Sequence, residues 1–343
     1  MTDPEVEAAA GHTAFSRIVV ACERGSGLQT LARFAHLFAA TGGTVRLVDI
    51  VCNPALLFPT LMLSYPDWCE AHRAMTHAAL TMLKHASTEL IAAGIRAETE
   101  LIDAPALHVD AATMLGRAAR CWHADLVAIS SPPRRHHWAC HFDPEEVAAA
   151  TGCPVLYVPD ARLAAGVPRR ARVLIAVDGT EVSLRTLRAA LPALSAAVAL
   201  KVVYVIDGAL HLRKWYPHDL FRHAGERALD RAAALLHECG IESETALVET
   251  EDELDDVPDA LSREAKHWAA DVIVLGLRSR PATVDSLPGR IASRALRDPP
   301  CALLVYPPAW VEAVLGRHPD SAAALAPAGP PPVFPPVFPP VFL

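Results

Sequence analysis

The densest group of metal-capable side chains lies in the stretch Arg134-Arg135-His136-His137-Trp138-Ala139-Cys140-His141. On a helix, His136/Cys140 and His137/His141 form i, i+4 pairs, a spacing at which two ligands reach one ion. A third ligand is undetermined and no second cluster has zinc-finger spacing, so the stretch reads as a solvated basic loop and no metal is expected. The acidic run Glu249, Glu251-Asp252-Glu253 and Asp255-Asp256 lacks the oxygen-ligand spacing of an EF-hand and also reads as a solvated loop. Enzyme signatures are missing: there is no G-x-x-x-x-G-K-[ST], no G-x-S-x-G and no H-E-x-x-H, and nothing brings a nucleophile beside a base. No enzymatic activity is expected. Two short segments remain, each closing an apolar run: Asp178-Gly179-Thr180, and Gly276-Leu277-Arg278-Ser279.

The elements that must carry these residues follow from periodicity. Arg172 to Val177, Ala199 to Ile206, Ile241 to Val248, Asp271 to Leu275 and Cys301 to Tyr306 are short β-branched apolar runs, the pattern of buried strands. Between them the period is helical: from Ser183, a cap for Leu184, Leu187, Ala190-Leu191 and Leu194; His223 to Cys239, closed by Gly240; Asp259 to Trp268; and Gly289 to Leu296. Strands that are apolar throughout and alternate with helices specify a parallel sheet covered on both faces, doubly wound because the crossovers are right-handed. In such sheets ligands sit beyond the carboxyl ends of strands at the switch point, where glycines let backbone N–H groups approach an anion at a helix start.

The pattern occurs twice. Arg17-Ile18-Val19-Val20-Ala21 returns as Arg172-Val173-Leu174-Ile175-Ala176, Trp122-His123-Ala124-Asp125-Leu126-Val127 as Trp268-Ala269-Ala270-Asp271-Val272-Ile273, and Cys153-Pro154-Val155-Leu156 as Cys301-Ala302-Leu303-Leu304. The first copy is read with strands near 17–22, 44–51, 95–102, 125–130 and 153–158 and helices near 28–41, 67–93, 107–122 and 144–151. The repetition of Trp122 and Trp268 just before a strand assigns them to packing. The domain boundaries are therefore an extension over 1–15, a first copy over 16–160, a linker over 161–171, a second copy over 172–308, and an Ala/Pro-rich, disordered tail over 309–343. Within that last stretch a short helix from Ala309 to Arg317 precedes three Pro-Pro-Val-Phe units, residues 331–342, expected to be polyproline-like or disordered and a possible partner-docking motif.

The apolar fraction is 52%, much of it Ala, and no run reaches the ~18 apolar residues of a membrane span, so a soluble protein without a membrane partner is expected. The acidic start, Met1-Thr2-Asp3-Pro4-Glu5, is unlike a secretory leader and gives cytoplasm as the default location. Eight scattered cysteines without a C-x-x-C pair read as reduced thiols. A net charge of −8 without a Lys/Arg run disfavours nucleic acid.

Val173 to Thr180, Ala270 to Gly276 and Cys301 to Val305 resemble the universal stress protein family, and the resemblance covers both copies. The chain looks like a tandem member of the E type, of the universal stress protein A superfamily. The resemblance implies an α/β fold of two tandem doubly wound, mostly parallel five-stranded sheets, Rossmann-like and adenine nucleotide alpha hydrolase-like. It implies an intramolecular pseudo-dimer, with a homodimer of chains left open, that acts in the stress response through binding rather than turnover. ATP or ADP is the implied cofactor of the second copy, with Asp178 at adenine, Val205 lining the base pocket, and Gly276, Ser279, Gly289 and Arg290 at the phosphates. The family's phosphate loop reads Gly, two residues, Gly, nine residues, Gly, then Ser or Thr. Here the frame is kept, but Ser279 replaces the middle glycine and Arg290 the hydroxyl residue. The first copy departs further, with Glu23 in place of the Asp and Ser130 in place of the first glycine, and no nucleotide is expected there. The alternative is a nucleotide-free interaction scaffold, and weak ATP hydrolysis ranks last.

Overall fold

A computed structural model describes residues 15–22, 27–57, 64–104, 110–130, 142–168, 171–194, 199–207, 218–251, 255–277 and 299–316. The first half runs β1 (Phe15–Cys22), α1 (Leu28–His36), β2 (Ala39–Cys52), α2 (Pro54–Leu57), α3 (Tyr65–Ala92), β3 (Arg96–Ala104), α4 (Ala111–Cys121), β4 (Leu126–Ser130), α5 (Pro144–Thr151) and β5 (Val155–Tyr157). A short helix, α6 (Asp160–Ala164), leads into β6 (Arg172–Ala176), α7 (Glu181–Ala190), β7 (Ala199–Ile206), α8 (His218–Glu238), β8 (Ser243–Glu249), α9 (Val257–His267), β9 (Val272–Gly276), β10 (Ala302–Tyr306) and α10 (Pro308–Leu315). The expected helix over 289–296 lies outside the described residues.

All described strands join one ten-stranded sheet in the order β3-β2-β1-β4-β5-β10-β9-β6-β7-β8. Each half contributes five parallel strands, and the halves meet through β5 and β10, which pair antiparallel with Leu304 opposite Leu156. The pairing gives each fifth strand a neighbour on both sides and removes two sheet edges that would otherwise offer unpaired backbone groups.

Alternation along β1 explains why the sheet must be covered twice. Ile18 and Val20 face a core built with Phe34 of α1, Leu83 of α3, Leu187 of α7 and Leu229 of α8. Val19 and Ala21 face another built with Leu115 of α4, Val147 of α5 and Leu261 of α9. Four of these helices begin at polar caps. Asp110 accepts from the N–H groups of Ala112 and Thr113 (3.1 and 3.2 Å), Asp143 from Glu145 (2.8 Å), and Asp256, the repeat partner of Asp110, from Asp259 (3.1 Å). The fourth, α7, is capped by Thr180, whose hydroxyl accepts from the N–H of Ser183 at 3.3 Å. Ser183 itself, expected to be the cap, lies one turn inside the helix.

The helix expected over 28–41 ends at His36. Phe15 N–H donates to Phe38 O at 3.1 Å, and Ala39 pairs with Phe15 before Gly42, at φ +76°, sets the register onto Arg17 and Thr44. Sheet pairing outweighs the helical period over these residues. The expectation of reduced thiols holds for Cys69, Cys121, Cys153, Cys239 and Cys301, but Cys52 is disulfide-bonded.

Candidate functional site

At the carboxyl edge of the second half, β6 and β9 are neighbours, with Ile175 opposite Val274. From β6 the chain leaves into α7 on one face of the sheet, while α9 enters β9 from the other face. The crevice where the crossovers part is the switch point of a doubly wound sheet. Asp178 and Gly276 stand at the ends of these two strands. Val205 stands near the end of the adjacent β7, where Val177 N–H donates to Val203 O at 2.9 Å. The fold thus brings Asp178, Val205 and Gly276 to one edge. Ser279, Gly289 and Arg290 lie outside the described residues.

Each of the three has a local reason for its position. The Asp178 carboxylate accepts from the Thr180 N–H (2.9 Å) and from the Thr180 hydroxyl (2.5 Å), a turn that starts α7 and holds the exposed side chain at the crevice. Gly179 adopts φ +75°, and a Cβ there would come within 3.2 Å of Ala228 and 3.6 Å of the Tyr204 ring. At Gly276 a Cβ would sit 2.7 Å from Thr186 Oγ1, whose hydroxyl donates to Val182 O at 3.0 Å. Helix α7 therefore approaches β9 closely enough to exclude a side chain. Val205 is partly buried against the core beneath α9. Sequence reasoning missed Thr186 and Tyr204; the signal for both was a glycine facing them.

Beside this edge, Glu249, Glu251 and Asp255, the described part of the acidic run together with Asp256, are tied to α9. Arg263 reaches Asp255 (2.9 Å), Glu251 (3.0 Å) and the Glu249 carbonyl (3.0 Å), and the Asp255 carboxylate accepts from Glu251 N–H at 2.7 Å. One guanidinium from α9 thus joins Glu251 and Asp255 to the end of β8, and Asp256 caps the same helix.

The equivalent edge of the first half is built differently. Register places Ser130 opposite Cys22 at the end of β4, the position Gly276 holds in β9. Ser130 is fully buried, and its hydroxyl donates to Asp160 Oδ1 at 2.8 Å. A Cβ on Gly27, at the start of α1, would lie 2.8 Å from Leu163 Cδ1. Helix α6 therefore packs against the start of α1, and its Asp160 carboxylate sits at the end of β4. Glu23 lies outside the described residues.

Trp122 and Trp268 are buried, as their repetition predicts. Arg17 and Arg46 lie 4.8 and 4.6 Å from the Trp122 ring centre, and Arg172 and Lys201 lie 4.3 and 5.8 Å from that of Trp268. Asp125 and Asp271, three residues after each Trp, accept from the Arg17 and Arg172 N–H groups, both at 2.9 Å. These are structural clamps at the amino ends of the strands, remote from the crevice. Among the described residues no group of three or more metal-capable side chains gathers, and His136/Cys140 and His137/His141 lie outside them. No described helix is long and apolar enough to cross a membrane.

A mostly parallel sheet with helices on both faces and a switch point between β6 and β9 defines a Rossmann-like, doubly wound α/β class. Residues 170–307 match the model of the universal stress protein family, and this part of the chain is a universal stress protein domain. The chain is similar to a universal stress protein from Archaeoglobus fulgidus DSM 4304, at 14% identity over 85% of this chain and 98% of that one, with a TM-score of 0.55. It is also similar to a functionally unknown protein from Pseudomonas aeruginosa PAO1, at 18% identity over 92% and 99%, with a TM-score of 0.54. A protein of the universal stress protein family from Burkholderia pseudomallei is 32% identical over 40% of this chain and 96% of that one, with a TM-score of 0.32. The first two likenesses extend over both halves and show the fold. No curated protein matches the chain.

Proposed function

We propose that the second half binds one ATP or ADP at the carboxyl ends of β6, β7 and β9, and that the chain acts in a cytoplasmic stress response through this binding rather than through turnover. The observation that carries the reading is the convergence of Asp178 and Gly276 at the switch point between β6 and β9. Asp178 supplies an acceptor for the adenine amino group, and Val205 supplies an apolar wall for the base. Gly276 starts the phosphate-holding segment, to which Ser279, Gly289 and Arg290 belong. The first half serves as scaffold: an entering phosphate would meet the Asp160 carboxylate at Ser130, a like-charge contact in a partly buried site.

Calorimetry of the full chain with Mg-ATP tests this. One saturable site per chain is expected, weakened about tenfold or more by Asp178→Ala, the range for loss of a hydrogen bond to a charged group. Asp178→Asn, which keeps an acceptor for Thr180, separates loss of the ligand contact from loss of the turn. Unchanged affinity in Asp178→Ala would refute the adenine assignment. Absence of binding at millimolar ligand would leave the interaction scaffold as the function of both halves.

A further inference from the structure

A second feature, independent of the nucleotide crevice, stands at the amino end of α3 in the first half. Tyr65, Trp68 and His72 are spaced three and four residues apart, which puts them on one side of the helix. Their rings are nearly parallel. Tyr65 and Trp68 are inclined by 6° with centres 6.5 Å apart, and Trp68 and His72 by 10° with centres 4.9 Å apart. The stack is fixed from below, because the Trp68 indole N–H donates to Asn53 Oδ1 at 2.8 Å and His72 Nε2 lies 3.2 Å from Asp103 Oδ1 at the end of β3. Its outer end is open, with Tyr65 79% exposed. None of the three belongs to the two described core clusters, and the outermost ring stands in solvent.

We propose that the Tyr65–Trp68–His72 staircase is the docking surface for the chain's own Pro-Pro-Val-Phe repeats, residues 331–342. Aromatic-lined surfaces take up proline-rich segments because the polyproline helix is already extended, little entropy is lost on docking, and its pyrrolidine rings pack flat against aromatic faces. Each unit adds a phenylalanine that has apolar surface to bury, and the Tyr65 hydroxyl can donate to a carbonyl that a polyproline helix leaves without an internal partner. The reach is sufficient. Fourteen residues separate Gly316, just past α10, from Pro331, and at ~3.1 Å each they span about 43 Å. The sheet order puts β10 five strand steps from β3, about 24 Å at ~4.8 Å per step. That leaves chain enough to travel the length of a strand as well. Tethering raises the local concentration of the tail, which favours the same chain over a second copy.

The test replaces Tyr65→p-benzoylphenylalanine in the full chain, irradiates it, and maps the adducts by mass spectrometry. Adducts to residues 331–343 of the same chain are expected, in a yield independent of protein concentration and lost when Phe334, Phe338 and Phe342 are all changed to Ser. Adducts that join two chains, or none within 331–343, overturn the proposal. A second readout uses the chain labelled with 5-fluorotryptophan. The Trp68 resonance, assigned through Trp68→Phe, is expected to shift when residues 331–343 are deleted, and an unmoved resonance overturns the assignment.

Discussion

The carboxyl edges of β4 and β9 occupy matching places in two copies of one fold, yet one ends in a buried serine bonded to a carboxylate and the other in a glycine beneath a helix. The amino edges of the same strands have hardly diverged: each keeps a buried tryptophan against basic side chains and an aspartate clamping the first strand. The contrast teaches that the scaffold's requirements are local to one end of the sheet. Packing at the amino end is needed by any such sheet, so it persists in both halves. At the carboxyl end the halves differ in the residue that closes the fourth strand: Ser130 is bonded to Asp160 of α6, whereas Gly276 lies against Thr186 of α7.

The comparison is broken most severely at the shared end. Trp122→Ala and Trp268→Ala should each cost about 3–5 kcal/mol of unfolding free energy, the range for buried tryptophan, as measured by denaturant titration. A loss confined to one variant would mean that the repeated packing supports only one half. Exchanging the residues at the divergent end sharpens the contrast. Gly276→Ser forces a Cβ against Thr186 Oγ1 and should cost about 1–3 kcal/mol. Ser130→Gly removes the donor to Asp160 and should cost about 1 kcal/mol, without adding a nucleotide site. A second calorimetric site in Ser130→Gly would show that Asp160 does not govern the first crevice.

The smallest effect is on chemistry rather than stability. Cys153 and Cys301 hold matching positions before β5 and β10, and burial pushes their thiols up to about 11 and about 12. At pH 8 both should stay unlabelled by iodoacetamide, whereas exposed Cys121 and Cys239 react. Peptide-resolved mass spectrometry reads this directly. If Cys153 were labelled well before Cys301 under mild denaturant, the first half would be the one that opens locally.

Much of this fold was legible from residues alone. The apolar runs at β6, β7 and β10 sit within a residue or so of their expected bounds, because strands covered on both faces are apolar almost throughout, with Arg172 and Lys201 as exceptions. Gly240 closes α8 at φ +70°, and the repeat placed Trp122 and Trp268 in packing roles. The misses were tertiary. Nothing local stops α1 at His36; its pairing partner Phe15 does, from the far side of the helix. Site legibility divides in the same way. The strand-end positions of Asp178 and Gly276 were legible from the apolar runs, while their roles came only from the family resemblance; the Ser130–Asp160 bond joins residues thirty positions apart and has no periodic signature.

The antiparallel seam between β5 and β10 also sets an order of events in time. Leu156 waits for Leu304, and at about 5–20 residues per second of synthesis that interval is on the order of 10–30 s. During it the first half can complete its parallel sheet while β5 still presents a bare edge. A neighbouring nascent chain displays the same edge, so crowded translation favours β5 meeting another β5. The short α6 connection counters this by delivering the second half to the correct seam, and the Arg162–Asp271 ion pair at 2.6 Å latches it there.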